Sequence, residues 1–173
     1  MFEAFSGFSA RIRLIPEDEA LLRCLDLPEE FKQCYKADAL AYAGNAKSLV
    51  KESLEFYKRA GANAPWTGYL AVDRAADLVV GCCGFKGNPS STGDVEIAYH
   101  TFSDYENRGF ATAMGHELVR IARQVGGVRE VIAHTLTERN ASARVLTKLG
   151  FSHRGQLRDP DDGPVWQWRL PLR

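Results

Sequence analysis

The sequence lacks net charge, long apolar runs and any metal-binding cysteine pattern, and each lack removes a class of function. Its 22 basic and 22 acidic residues cancel over 173 residues, so no global field draws the chain to nucleic acid or to an anionic membrane. Neither is expected as a partner. No uninterrupted apolar stretch approaches the span of a bilayer, and no basic region followed by an apolar run stands near the N-terminus. A cytoplasmic location is the expectation. Cysteine is scarce: Cys24, Cys34, Cys82 and Cys83 have neither zinc-knuckle nor redox-pair spacing. Cys82 and Cys83 are adjacent in a strand-like run, so their side chains point to opposite faces and cannot share one metal without distortion. Reduced thiols serving as small buried hydrophobes are expected. His100, His116, His134 and His153 have no ligand spacing either, so no metal is expected.

What is present suffices for one buried domain. Hydrophobic residues make up 45% and charged residues 25% of the chain, as in ordinary soluble globular proteins. The length suits a single domain over residues 1–173, with residues 1–9 loose ahead of the first strand. Alternation from Arg11 to Ile15, stopped by Pro16, predicts that strand. Apolar positions from Glu17 to Leu25 predict a helix, and a second helical piece is expected from Glu29 to about Ala43. Gly44 breaks the pattern, Asn45 is a plausible cap, and a further helix then runs toward Arg59. Trp66 to Val72 and Leu78 to Phe85 read as strands joined by a polar connection, pairing antiparallel and continuing through a glycine-rich turn into a third strand. Trp166 and Trp168 are read mainly as core or interface residues, Trp66 equally as a packing residue or as lining an acceptor cleft, and His134 as a hydrogen-bonded core residue.

The region from Asp94 to Gly155 organises the rest. Val95, Ile97 and Tyr99 alternate with Asp94, Glu96 and Ala98, the period of a half-buried strand. Met114, Leu118, Ile121, Ala122 and Val125 then recur at helical spacing. Between them lies Glu106-Asn107-Arg108-Gly109-Phe110-Ala111-Thr112. Gly109 permits close approach of a ligand, and the first helical amides after it have no intrahelical acceptor, which suits a phosphate group. Val128 to Thr135 predicts a strand parallel to the Glu96 strand, reached by a right-handed crossover. Asn140 to Leu149 reads as a short helix, followed by strands at Phe151 to Gln156 and Val165 to Leu170.

Three motifs in order, Gly93 to Tyr99, Arg108 to Thr112, and Asn140-Ala141-Ser142 with Lys148-Leu149-Gly150-Phe151, resemble the GCN5-related N-acetyltransferase superfamily, nearest its ribosomal-protein N-terminal acetyltransferase branch. The resemblance covers roughly residues 66 to 155. It implies an α+β fold: a mixed, mostly antiparallel sheet with a central splayed parallel strand pair, flanked by helices. It implies an enzyme that moves an acetyl group from acetyl-coenzyme A to a primary amine by direct transfer. The acceptor would be a protein N-terminus or a small-molecule amine such as a polyamine, amino acid or aminoglycoside. A non-catalytic acyl-coenzyme A binding or regulatory module is the rival reading, and a homodimer is compatible with either.

The resemblance also implies roles for residues. Main-chain amides of Asn107, Arg108, Gly109, Phe110, Ala111 and Thr112 would hold the pyrophosphate. His100 and Phe102 would offer backbone groups to the pantetheine arm and thioester, and Asn140 would bond that arm from the other side. Glu96 matches an acidic residue that several relatives use on the acceptor, and a carboxylate there can take the proton that an ammonium must lose before it attacks. Three positions depart from the pattern. Glu106 replaces the usual Gln or Arg, Arg139 stands where the commonest Asn would be, and Leu146 occupies the position of a Tyr that protonates the departing thiolate. Ser142 is the candidate substitute for that Tyr.

Overall fold

The computed structural model describes residues 11–160 and 162–172; the segment read as loose, residues 1–9, lies outside them. Seven strands form: β1 (Ile12–Pro16), β2 (Gly68–Asp73), β3 (Leu78–Phe85), β4 (Asp94–Thr101), β5 (Glu130–Leu136), β6 (Ser152–Asp159) and β7 (Gly163–Pro171), with burial that is continuous along most of β2 and β3 and alternates along β5. Runs with helical apolar spacing form α1 (Glu19–Cys24), α2 (Pro28–Tyr35), α3 (Ala43–Ala60), α4 (Phe110–Val125) and α5 (Ala141–Lys148). The strands make one sheet in the order β1-β2-β3-β4-β5-β7-β6. Every neighbouring pair is antiparallel except β4 with β5. The last strand is therefore interior: β7 enters between β5 and β6, an order that alternation along single strands does not specify.

Two apolar layers hold this sheet. On one face, Phe110, Met114 and Leu118 of α4 and Leu146 of α5 pack on Ala71, Val80, Val95, Ile97 and Val131. On the other, Leu21, Phe31, Ala46 and Val50 from α1, α2 and α3 pack on Ile15, Leu70, Val72 and Val79. The second layer is built differently from the sequence expectation. Gly44 and Asn45 lie inside α3 and neither breaks nor caps it. Both stand in its first turn, where a glycine costs little, and Ala46 and Val50 just beyond them are completely buried. The break falls earlier, at Lys36 with φ 50. There the chain is held by tertiary bonds, Asp38 N–H donating to the Asp77 carbonyl and Val79 N–H to the Asp38 carbonyl. The other end of α3 follows the expectation, closing at Gly61 with φ 62.

The parallel pair is short. β4 and β5 align only over Asp94 with Glu130, Val95 with Val131 and Glu96 with Ile132. Beyond that point β4 stays with β3 as far as Thr101, and β5 stays with β7 as far as Leu136. The two strands thus part in mid-sheet, and each keeps an edge that faces the gap. Among the described residues no helix is long and apolar enough to cross a membrane, and no group of three or more His, Cys, Asp or Glu could hold a metal ion.

Candidate active site

The gap between β4 and β5 opens at the start of α4. Gly109, at φ 84, precedes the helix, and the Ala113 N–H donates to its carbonyl at 3.1 Å. The amides of Phe110, Ala111 and Thr112 lie ahead of that first helical bond and point out of the helix start. They open onto a cleft of about 350 Å³ lined also by Tyr99, His100, Glu106, Asn107, Ser142 and Val145. Arg144 and Lys148, four apart on α5, line the same cleft and supply the positive charge that an anionic group there requires. Arg11 stands beside the turn with its guanidinium over the Phe110 ring, 4.2 Å from the centroid. A glycine with free amides beyond it and two cations opposite fits a pyrophosphate.

At the inner end of this cleft the Tyr99 hydroxyl and the Ser142 hydroxyl are 3.0 Å apart. Burial pushes the Tyr99 hydroxyl up to about 12, while the Ser142 contact pulls the other way; the phenol therefore stays protonated at neutral pH. Tyr99 is also where three cavities meet, since it lines the cleft just described, a second one around Glu96 and a third under α3. In the second, Glu96 Oε1 accepts from Lys86 Nζ at 2.9 Å and lies 3.0 Å from His134 Nδ1. His134 Nε2 faces the Gln167 amide nitrogen at 3.3 Å. Read with that amide as donor, the tautomer places the His134 proton on Nδ1, toward Glu96. Both contacts fall on Oε1, which leaves Oε2 available.

The third cavity, about 360 Å³, lies between α3 and the sheet. Its lining is mostly apolar, with Phe56, Tyr57, Cys82, Cys83 and Phe85 beside Glu17 and Ser53. Glu17 is 7% exposed, and its Oε2 has no hydrogen-bond partner. Burial raises its carboxyl to about 7, against a hydrogen bond from Ser53 that lowers it.

The structure gathers most of the residues expected at the site. His100, Asn107, Gly109, Phe110, Ala111, Thr112 and Ser142 line the cofactor-sized cleft, and Glu96 lines the adjoining one. Glu106 turns into the cleft as well, whereas Arg108 is exposed and lies 5.9 Å from the Tyr105 ring. Two others are placed elsewhere. Phe102 packs in the α1–α3 layer, stacked on Tyr42 with centroids 4.6 Å apart. Its N–H donates to the Val80 carbonyl and its carbonyl accepts from the Tyr105 N–H, so both backbone groups are committed within the fold. Asn140 caps α5, its Oδ1 accepting from the Ala143 N–H at 3.0 Å. Leu146, fully buried in the α4–α5 layer, serves the core and does not face the cleft. The packing readings of Trp66 and Trp168 match their burial: Trp66 stands edge-on to Phe85, and Trp168 Nε1 donates to Thr135 Oγ1 at 3.1 Å.

Residue-by-residue reading missed Tyr99, Arg144, Lys148 and Glu17. The four-residue spacing of Arg144 and Lys148 puts both on one helix face and was a usable signal. For Glu17 only its place directly after Pro16 at a strand end was legible.

The sequence profile of the Acetyltransferase (GNAT) domain matches residues 11–152, and the chain belongs to that family. It is similar to the uncharacterized N-acetyltransferase p20 of Bacillus licheniformis, 26% identical over 91 residues that cover 53% of this chain and 51% of that protein. The uncharacterized N-acetyltransferase YjdG of Bacillus subtilis is 29% identical over 73 residues, 42% of this chain and 44% of that protein. The chain thus spans about half the length of the curated relatives it matches. Among solved structures, RimL, a ribosomal L7/L12 alpha-N-protein acetyltransferase in complex with coenzyme A, superposes with TM-score 0.65 at 15% identity, covering 94% of each chain. The microcin C7 self immunity acetyltransferase MccE, in complex with acetyl-CoA and AMP, gives 0.66 at 14% identity over 94% of this chain and 93% of its own. At such identities the likeness shows a shared fold.

Two measurements follow from this geometry. Gly109→Val places a branched side chain at a positive φ that such residues rarely adopt. It should weaken coenzyme A binding by at least tenfold in calorimetry with the circular dichroism spectrum retained; unchanged affinity removes the cradle assignment. Glu17→Gln should alter the pH dependence of stability. A carboxyl raised in the folded state from 4.5 to about 7 favours folding only while protonated, so its stabilising contribution is complete below 4.5 and is lost as pH rises through 7. At about 1.4 kcal/mol per unit the loss amounts to about 3 kcal/mol. Urea denaturation should therefore show the Gln variant gaining on wild type by about that amount between pH 4.5 and 8; parallel curves refute the burial effect.

Proposed function

We propose that this chain transfers the acetyl group of acetyl-coenzyme A directly to a primary amine in a ternary complex. The observation that carries this reading is the parting of β4 and β5, which joins the amides at the start of α4, through Tyr99, to the acceptor-sized cavities around Glu96 and under α3. Amides of Asn107 to Thr112, with Arg144 and Lys148, would hold the pyrophosphate, and His100 on β4 would flank the pantetheine arm. The cofactor supplies an acyl group activated as a thioester.

The remaining chemistry falls to the chain. An incoming ammonium gives one proton to Glu96 Oε2, the oxygen not engaged by Lys86 and His134, and the neutral amine then attacks the thioester carbonyl. The carbon–sulfur bond breaks, the thiolate takes a proton from the Tyr99–Ser142 hydroxyl pair, and the second proton of the attacking nitrogen restores that pair as the neutral amide forms; Glu96 then gives its proton to solvent. Lys86 and His134 hold the carboxylate in place through Oε1. The acceptor classes under this reading are a protein N-terminus, the substrate that the name RimL states for that structural relative, and a small-molecule amine. The apolar cavity under α3 favours the small molecule.

Thiol release from acetyl-coenzyme A with a panel of amines tests the activity; coenzyme A binding with no amine-dependent release would favour a binding module. Glu96→Gln should lower turnover about a hundredfold near neutral pH with acetyl-coenzyme A affinity unchanged. The deficit should narrow as pH rises, because more of the amine then arrives neutral. Tyr99→Phe and Ser142→Ala should each reduce kcat about tenfold with little change in KM for the cofactor, and the double variant should be no worse than the poorer single one, since the two hydroxyls act as a unit. Additive losses would separate their roles.

A further inference from the structure

The cavity under α3 has a floor made of residues without side chains. Register aligns Gly68 of β2 with Gly84 of β3, and Gly84 with Ala98 of β4. Glu17 continues this row past β2, its N–H donating to the Gly68 carbonyl at 2.9 Å. A Cβ on Gly68 would lie 2.1 Å from Glu17 Oε2, and one on Gly84 would lie 2.9 Å from the Tyr57 hydroxyl. The two glycines therefore seat two polar groups of other elements on a surface that would otherwise carry side chains. A buried carboxylate oxygen with no partner, facing an apolar cavity, is costly for the fold alone. Its place makes sense when a ligand supplies the missing donor.

The nature of that donor follows from charge and distance. Glu17, together with the exposed Glu52, makes the cavity acidic, while Lys86 on its other side is already paired with Glu96. A cation suits it. The carboxylate sits over β2, whereas the acyl group would arrive over β4 at Ala98 and Tyr99, two strand spacings away, or about 10 Å. Glu17 is thus too far from the reacting nitrogen to take its proton.

Resting on the transferase reading above, we propose that the acceptor is an elongated aliphatic diamine or polyamine. One nitrogen is acetylated beside Tyr99, and the distal ammonium is bound by Glu17, with the methylenes lying along Phe56, Phe85 and Ala98 of the cavity lining. The walls suit a hydrocarbon chain, and the two ends suit only nitrogen. Of the neighbours of Glu17, Tyr57 is raised by burial and then by Glu17, Cys82 is raised to about 12, and Cys83 is raised well above the thiol range. His100 and Lys86 line the same cavity.

Thiol-release kinetics with hexamethylenediamine, hexylamine and a short peptide with a free N-terminus test the assignment. Wild type should use the diamine about a hundredfold better than hexylamine in kcat/KM, in the range for a buried charge pair. Glu17→Gln should treat the two amines alike within about threefold while binding acetyl-coenzyme A as wild type does. A wild-type preference for the peptide, or a diamine preference that survives in Glu17→Gln, overturns the inference and leaves the transferase reading intact. Release with none of the three amines counts against the transferase reading instead. Calorimetry of hexamethylenediamine binding then decides Glu17 separately and needs no variant. Binding should release close to one proton at a pH below about 7, where Glu17 is protonated in the free protein, and none well above it; absence of binding or of proton release overturns the assignment.

Discussion

Two parallel strands that cease to pair after three aligned positions set the terms for the rest of this molecule. Beyond Glu96 and Ile132 the facing edges of β4 and β5 carry backbone donors and acceptors with no ladder partner across the gap, and a buried backbone group left unpaired costs free energy comparable to a lost hydrogen bond. A ligand whose own amide groups can lie along such an edge meets that need as a further strand would. The flanking helices follow from the same divergence. The loop leaving β4 turns at Gly109 into α4, and the one leaving β5 turns at Asn140 into α5, so two helix starts flank the opening. The Tyr99 hydroxyl from β4 meets Ser142 in the first turn of α5 and spans the gap where the strands no longer do.

The parts legible in the sequence were those set by local pattern. Leu78 to Phe85 matches β3 to the residue, alternation placed β4, a β-branched run placed β5 within two residues, and a glycine between an alternating run and a helical one marked the start of α4. Parts fixed by distant contacts were harder to read. Gly44 looks like a helix terminator, yet α3 begins one residue before it, where Ala46 and Val50 can be buried. Phe102 follows the end of β4, where the family pattern puts a backbone partner for the cofactor, but its amide is bonded to Val80 of β3. Asn140 has a short-range demand, the Ala143 amide, that a comparison of motifs overlooks. Tyr99 reads as one more apolar residue of an alternating strand, because its hydroxyl finds its partner on an element 43 positions away.

Glycine in a strand ordinarily weakens it. Here the loss at Gly68 and Gly84 is offset locally, since Tyr57 and Glu17 fill the space, but the filling is polar and one oxygen stays unpartnered. The fold gives up stability in the α3 cavity that an apolar residue at position 17 would have recovered. The α4–α5 face shows the opposite choice: Leu146 is wholly given to packing.

The interior position of β7 bears on how the molecule comes into being during synthesis. β5 borders the opening on one side and β7 on the other, and among the described residues β6 pairs only with β7. Until Gly163–Pro171 has left the ribosome, β5 has only its three aligned positions with β4 and the packing of Val131 and Ala133 to hold it, and β6 has no place in the sheet. The half of the molecule that carries α5 therefore assembles late and almost at once, around a strand that reaches it last. A ribosome that stalled after Asp159 would release a chain with its first four strands able to pair and β5 still without its neighbour β7.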